Sequence, residues 1–252
     1  GANRRSKRSP GPAHTEYGRS MSHSTSRIVI IGGHGKIALL AAPLLVADGH
    51  EVISVIRNPA QADDVAATGA TPLVLSVEDA GTEELAQAFA GADAVVWSAG
   101  AGGKGGPERT DAVDRAAAIR TMEAAEAAGV RRYIMVSFIT AYGEVADDHP
   151  LRAYAIAKIA ADRHLQTTDL DWTILGPGLL TQDEPTGAIT VGRMGAGESS
   201  TDAPTSRGNV ARVIAAVIDE PASIGRVIPF RDGGTPIAQA VADVPESYSD
   251  LS

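Results

Sequence analysis

The run from Arg27 to Asn58, RIVIIGGHGKIALLAAPLLVADGHEVISVIRN, restricts this chain more than any other part of it. Residues 28–31 are β-branched and strand-like. Gly32, Gly33, His34 and Gly35 follow without a spacer. Residues 36–48 then carry apolar side chains over a helical length, Gly49 stops the helix, and residues 52–56 restore strand character. A glycine turn that joins a strand to a helix is an anion site. Backbone N–H groups and the positive helix end converge there, and missing side chains let a pyrophosphate come close. The spacing is Gly32-x-x-Gly35-x-x-Ala38, with Gly33 as an extra glycine and Ala38 as the small residue at the helix–strand contact. Pro43 lies inside the helix and is expected to kink it on its outer side. The run therefore predicts a dinucleotide-binding unit.

The rest of the chain repeats the alternation. After a turn at Arg57-Asn58-Pro59, helices are expected over 60–68, 82–90, 110–128, 150–168, 209–219 and 237–241. Strands are expected over 71–76, 93–99, 132–137, 172–175, 188–191 and 226–230. A second glycine-rich loop runs from Gly100 to Pro107. Strands alternating with helices predict an α/β fold: a doubly wound parallel sheet of the Rossmann type, three layers thick, in a single domain. That domain spans 26–242. Residues 177–206, rich in Gly, Pro, Thr and Asp, are expected to be irregular apart from 188–191 and to form a lid or substrate wall.

Composition narrows the partners. The chain has 252 residues, of which 44% are hydrophobic but only 4% aromatic, so its core must be built from small and aliphatic side chains. A net charge of −9 argues against nucleic acid or an anionic membrane as the main partner. No apolar run approaches the roughly 18 residues of a membrane helix. There is no cysteine, which excludes disulfides, thiolate metal ligands and a thiol nucleophile. The expectation is a cytoplasmic protein, monomeric or homodimeric, with a small-molecule substrate and no metal. Residues 1–20 differ in kind: Arg4, Arg5, Lys7, Arg8 and Arg19 face a single acid, Glu16, with no apolar stretch. Residues 1–25 read as a disordered tail, a cloning remnant or an upstream extension around Met21. Residues 243–252 read as a polar C-terminal tail.

Two features bear on chemistry. At the end of the second strand an acid would bind ribose hydroxyls, whereas a base accommodates a 2′-phosphate. This chain has Ile56-Arg57-Asn58, so Arg57, helped by Lys36 or His34, points to NADP(H) rather than NAD(H). Further on, Tyr154 and Lys158 lie four apart on one predicted helix face. A neighbouring ammonium would lower the phenol pKa and make Tyr154 a proton partner for carbonyl–alcohol hydride chemistry, while Lys158 could also hold a ribose.

From Arg27 to about Ala240 the chain resembles the atypical short-chain dehydrogenase/reductase superfamily, in its single-domain NAD(P)H-binding branch. The resemblance rests on IIGGHGKIA, VIRNP, ADAVVWSAGAG, AAEAAGVRRYIMVSF, YAIAKIAADRHLQTTDLDWTILGPGLL and GGTPIAQAV in order. That branch includes flavin and quinone reductases, epimerase- or dehydratase-like proteins, and NmrA-like NADPH sensors without turnover. The resemblance implies that Gly32, Gly33, His34, Gly35, Lys36 and Ile37 surround the pyrophosphate and that Arg57 meets the 2′-phosphate. It implies that Ser98, Ala99 and Gly100 pass the central ribose, and that Pro177, Gly178 and Leu179 cover the nicotinamide amide. Tyr154, Lys158, Ser137 and Thr140 are the catalytic candidates. The chain departs from the pattern where Phe138 replaces the usual active serine, leaving Ser137 facing the other side and Thr140 as the substitute. Ser76-Val77 replaces an acid-containing pair beside the adenine, and Gly176 replaces an arginine. The implied function is an NADPH-dependent oxidoreductase acting on a small carbonyl, quinone or flavin. The alternatives are a non-catalytic NADP(H) sensor and an epimerase/dehydratase-like enzyme.

Residues 1–20 carry no periodic apolar face, so deleting them should leave the melting temperature and cofactor affinity unchanged. A large fall in melting temperature, measured by circular dichroism, would show that the segment docks on the domain.

Overall fold

The structure, a computed structural model, describes residues 26–100, 105–139 and 148–250. Thr140, residues 101–104 of the second glycine-rich loop, and the 1–25 segment lie outside the described residues.

The chain opens with β1 (Arg27–Ile31), α1 (Lys36–Ala47) and β2 (Glu51–Ile56). Ile28, Val29, Ile30 and Ile31 are all fully buried, as a strand covered on both faces requires. Each such side chain contributes about 1.5–3 kcal/mol of burial. α1 runs through Pro43 as one helix; the proline is on the exposed side, where water can reach the carbonyl that lacks a partner. A 3₁₀ turn (Pro59–Gln61), its N-terminus capped by the Asn58 side chain, leads into α2 (Ala62–Ala66). Next come β3 (Thr71–Val74), α3 (Thr82–Phe89) and β4 (Ala94–Trp97).

The long alanine-rich helix is broken in kind though not in path. α4 (Gly106–Thr110) passes into a π-helical segment, Asp111–Ala117, and then into α5 (Ala118–Ala127). Nothing in the alanine-rich residue pattern marks this widened turn. β5 (Arg132–Val136), α6 (Arg152–Gln166) and β6 (Asp171–Pro177) complete the second half. The chain ends with β7 (Leu179–Thr181), β8 (Ala188–Val191), β9 (Pro204–Ser206), α7 (Arg207–Ile218), β10 (Arg226–Asp232), β11 (Thr235–Pro236) and α8 (Ile237–Ala242).

One nine-stranded sheet forms the middle layer, in the order β11-β8-β10-β6-β5-β4-β1-β2-β3. It is not wholly parallel, as expected from the alternation. β8 pairs antiparallel with both β10 and β11. The reason lies in the connection. β6 ends at the carboxyl edge, and no helix between Pro177 and Ala188 carries the chain back to the amino edge. A parallel neighbour needs a crossover of a dozen or more residues, so β8 starts where β6 stopped and runs the other way. One core cluster joins the sheet to α1, α7 and α8, and the other joins it to α3, α5 and α6. No helix among the described residues is long and apolar enough to cross a membrane.

Residues 177–206 hold more structure than their composition suggests. β7 and β9 pair in a small parallel sheet. Asn209, fully buried, accepts a bond from the Gly187 N–H and donates to Asp232 Oδ1 at 2.8 Å. The Ser206 N–H bonds the same carboxylate, and the Ser206 hydroxyl caps α7 by accepting from the Asn209 N–H. One asparagine thus ties the segment to the sheet.

Gly178 sits where this segment closes on the domain. A Cβ there would lie 1.9 Å from the Ala203 carbonyl oxygen. Gly178→Ala should therefore cost about 1–3 kcal/mol, the range for overpacking, read as a lowered midpoint in urea. An unchanged midpoint would mean that the 177–206 segment is not packed as described.

Candidate active site

β1 has β4 on one side and β2 on the other, so the direction of sheet winding reverses between β1 and β4. Ligands of such sheets bind outside the carboxyl ends at that switch point. A cavity of about 490 Å³ opens there, lined by Gly32, Gly33, His34 and Gly35, by Arg57 after β2, and by Ser98, Ala99 and Gly100 after β4. The carboxyl end of β3 contributes Ser76, Val77 and Glu78, and the α4 region contributes Arg109 and Val113.

The glycine turn has a tighter geometry than its sequence pattern implied. Gly32 has φ +80°, and a Cβ on it would lie 2.6 Å from Ala99 Cα. A Cβ on Gly33 would lie 2.5 Å from Ser54 Cβ. Gly33 is therefore no spare residue: it lets the turn pack on β2. Its N–H donates to the Val55 carbonyl, and the Gly35 N–H donates to the Gly32 carbonyl. Those two amides are already engaged, one by β2 and one within the turn, so the first turn of α1, where helical geometry leaves N–H groups without partners, is the source of donors to an anion. α1 has no side-chain cap and no acid in its first turn. By contrast, α7 is capped by Ser206.

The other cofactor candidates fall in three places. The Lys36 side chain is exposed at the start of α1 and does not line the cavity, while Ile37 is buried in the core. Their backbone N–H groups, in the first turn of α1, are the ones helical geometry leaves without partners. His34 Nε2 lies 2.8 Å from the Asp64 carboxylate on α2. Pro177 and Gly178 are buried and Leu179 is exposed. The Gly178 N–H is shared between the Phe230 carbonyl and the Thr205 hydroxyl, so that amide is already engaged.

The sequence pattern at the cavity mouth omits two residues. Glu78 Oε2 lies 3.7 Å from an Arg57 guanidinium nitrogen and 3.3 Å from Arg109 Nε. The acid missing after the second strand arrives from the third. Its sequence signal was an acid just beyond Ser76-Val77; Arg109, in a glycine-rich approach to a helix, gave none.

Tyr154, Lys158 and Asp162 recur at four-residue spacing on one face of α6. Lys158 is only 1% exposed, and its amine donates to Met135 Sδ at 3.0 Å. Asp162 is fully buried and accepts the Ser137 hydroxyl at 2.5 Å. Asp114, on the π-helical segment, is fully buried as well. The Tyr154 ring packs on Phe138, with centroids 5.3 Å apart.

This arrangement reverses one expectation. Lys158 was expected to bring the Tyr154 phenol pKa down. Instead, burial pushes it well up, and the Asp114 and Asp162 carboxylates push it further. Burial of the phenol is the first cause, and the company the lysine keeps is the second. Burial drives the Lys158 ammonium below the usual lysine range, while Asp162 and Asp114 oppose that shift. Its charge is balanced by these carboxylates, which also bear on the phenol. The Ser137 hydroxyl is engaged by Asp162. Asp162 was readable in the sequence as the next residue on the Tyr154–Lys158 face. Asp114 was not, because a π-helical turn set its direction.

Tyr133 shares the behaviour of Tyr154: burial raises its phenol strongly, Thr121 hydrogen bonding lowers it, and Asp162 raises it. Both groups hold their protons more firmly folded than unfolded. The stability this confers is present below about pH 10, the unfolded phenol value, and is lost as pH rises from there through the folded values. In an ultraviolet phenolate titration, the fully buried Tyr133 should ionise only together with unfolding, and the partly exposed Tyr154 only above the ordinary phenol range. Smooth ionisation of all five tyrosines in the folded protein would contradict the buried placement.

The glycine turn, the switch-point cavity and the mixed sheet agree with what comparison with known proteins shows. Residues 32–221 match the family model described as NAD(P)H-binding. A UPF0659 protein of Schizosaccharomyces pombe, C216.03, is 36% identical over 234 residues, covering 85% of this chain and 93% of the relative. A Bacillus halodurans structure assigned provisionally as an NAD-dependent epimerase/dehydratase is 34% identical with TM-score 0.80, covering 87% of this chain and all of that one. The oxidoreductase ylbE of Lactococcus lactis is 30% identical with TM-score 0.76, covering 90% of this chain and all of that one. The chain belongs to the NAD(P)H-binding family, a Rossmann-fold group related to the short-chain dehydrogenase/reductase and epimerase/dehydratase superfamily.

Proposed function

We propose that the protein binds NADP(H) in the switch-point cavity and acts as an oxidoreductase on a small carbonyl, quinone or flavin. The observation that carries this reading is the uncapped α1 N-terminus facing a cavity that ends at Arg57. The residues fit the cofactor. The first-turn N–H groups of Lys36 and Ile37, with Gly32 to Gly35 giving close approach, suit a pyrophosphate. Ser98, Ala99 and Gly100 suit the central ribose, and Arg57 suits a 2′-phosphate. Pro177, Gly178 and Leu179 are assigned to the nicotinamide end. The bound nicotinamide would supply or accept the hydride.

The protein's own part in the chemistry is narrower. The Tyr154 phenol keeps its proton, so it suits donation to a product oxygen and not abstraction. Lys158 balances the buried Asp162 and Asp114 carboxylates. Thr140 remains the candidate for the missing serine. Phe138 against Tyr154 builds an apolar wall, which favours a flat ring substrate over a small carbonyl. Phe138 in place of the usual active serine supports a second reading, a sensor without turnover. The Bacillus halodurans relative supports a third, an epimerase or dehydratase in which the hydride returns to the substrate.

Fluorescence titration should show NADPH binding more tightly than NADH, with Arg57→Ala lowering NADPH affinity by roughly tenfold, the order of one charge-assisted contact. Equal affinities would contradict the NADP(H) assignment. Tyr154→Phe should retain most turnover with quinones or flavins. A loss beyond about a thousandfold with a carbonyl substrate would establish Tyr154 as an essential general acid instead. Tight NADPH binding with no turnover across aldehydes, ketones, quinones and flavins would select the sensor.

A further inference from the structure

At the outer end of the cavity, three charged side chains from three elements meet. Arg57 comes from the end of β2, Glu78 from the loop after β3, and Arg109 from α4. Glu78 Oε2 is 3.3 Å from Arg109 Nε and 3.7 Å from an Arg57 nitrogen. The two guanidiniums therefore share one carboxylate. Arg57 is 61% exposed, whereas Glu78 and Arg109 are 27% and 28% exposed, so the Glu78–Arg109 pair is the better shielded from solvent.

The backbone that carries the carboxylate is held independently of these arginines. Arg120, from α5, donates to the Val77 and Glu78 carbonyls at 3.2 and 2.9 Å and to the Ala80 carbonyl at 3.2 Å. These bonds grip the backbone of the 77–80 loop from below. Arg109 in turn has its stem against Gly105, where a Cβ would lie 2.7 Å from Arg109 Cδ.

We propose that Glu78 and Arg109 set the choice between NADPH and NADH, with Arg109 a second cation for the 2′-phosphate and Glu78 its competitor. This rests on the cavity being the dinucleotide site. A cofactor with a free 2′-hydroxyl leaves the triad intact and gives Glu78 a hydroxyl to accept. A 2′-phosphate carries nearly two negative charges at neutral pH and needs both guanidiniums. It must take them while the Glu78 carboxylate stays nearby, and like charges in a partly shielded cleft repel. Glu78 thus restrains a preference that Arg57 and Arg109 create, and the NADPH:NADH affinity ratio is a balance among three residues.

The test is fluorescence titration of the full chain with NADPH and with NADH, at low and high potassium chloride. Circular dichroism melting of every variant confirms folding. Glu78→Gln keeps the side-chain shape and removes the charge; it should raise the NADPH:NADH affinity ratio roughly tenfold, and high salt should shrink that gain. Arg109→Ala should weaken NADPH roughly tenfold while leaving NADH within about twofold, and Arg109→Lys should recover part of the loss. Equal weakening of both cofactors by Glu78→Gln would overturn the competition, because the carboxylate would then serve the shared adenosine. Equal effects of Arg109→Ala on both cofactors would make Arg109 a wall residue and overturn its assignment. Wild-type protein that binds neither cofactor would remove the dinucleotide reading itself, an outcome distinct from either of these.

Discussion

The closeness of the β1–α1 turn to its neighbours governs the rest of the molecule. With Gly32 against Ala99 and Gly33 against Ser54, no side chain fits at either position. That contact sets the start of α1 beside the end of β4, and it fixes the cavity between the two halves of the sheet. The Gly33 and Gly35 amides are already engaged, one by β2 and one within the turn. What remains for an anion is the helix end itself, uncapped and with no acid in its first turn. An uncapped end forgoes about 1 kcal/mol that a Ser or Asp cap would contribute. Leaving it bare is consistent with a ligand taking the cap's place.

A second constraint lies beneath the site. Burying Lys158 with Asp114 and Asp162 is costly unless charges and hydrogen bonds are matched, since each ion loses its water. Ser137, Met135 and the two carboxylates supply those partners from β5, α6 and the π-helical segment. The π-helical turn has a role in this: it aims Asp114 inward at α6. Burial, and after it the Asp114 and Asp162 carboxylates, keep the Tyr154 phenol protonated.

Much of this architecture was written locally. The alternation of strand and helix, the switch-point turn and the placement of α6 each follow from patterns spanning fewer than about twenty residues. Three kinds of feature were not. The antiparallel β8 depends on the absence of a crossover helix, which the Gly- and Pro-rich composition of 177–187 disguised as a loop. Asp114 depends on a helix type that leaves no mark in an alanine-rich run. The Arg57–Glu78–Arg109 meeting depends on three segments brought together only by the sheet. The Tyr154 and Lys158 positions were legible from spacing, yet their charge state was not, because it is set first by burial and then by Asp162 on the same helix and Asp114 on a distant one.

The most direct test of the central claim is a crystal structure of the protein with NADPH. The account predicts pyrophosphate oxygens within about 3 Å of the Lys36 and Ile37 N–H groups, the 2′-phosphate against Arg57, and the nicotinamide ring over the Tyr154 side of β5. A pyrophosphate bound away from the α1 N-terminus, or a nucleotide outside the switch-point cavity, would contradict it.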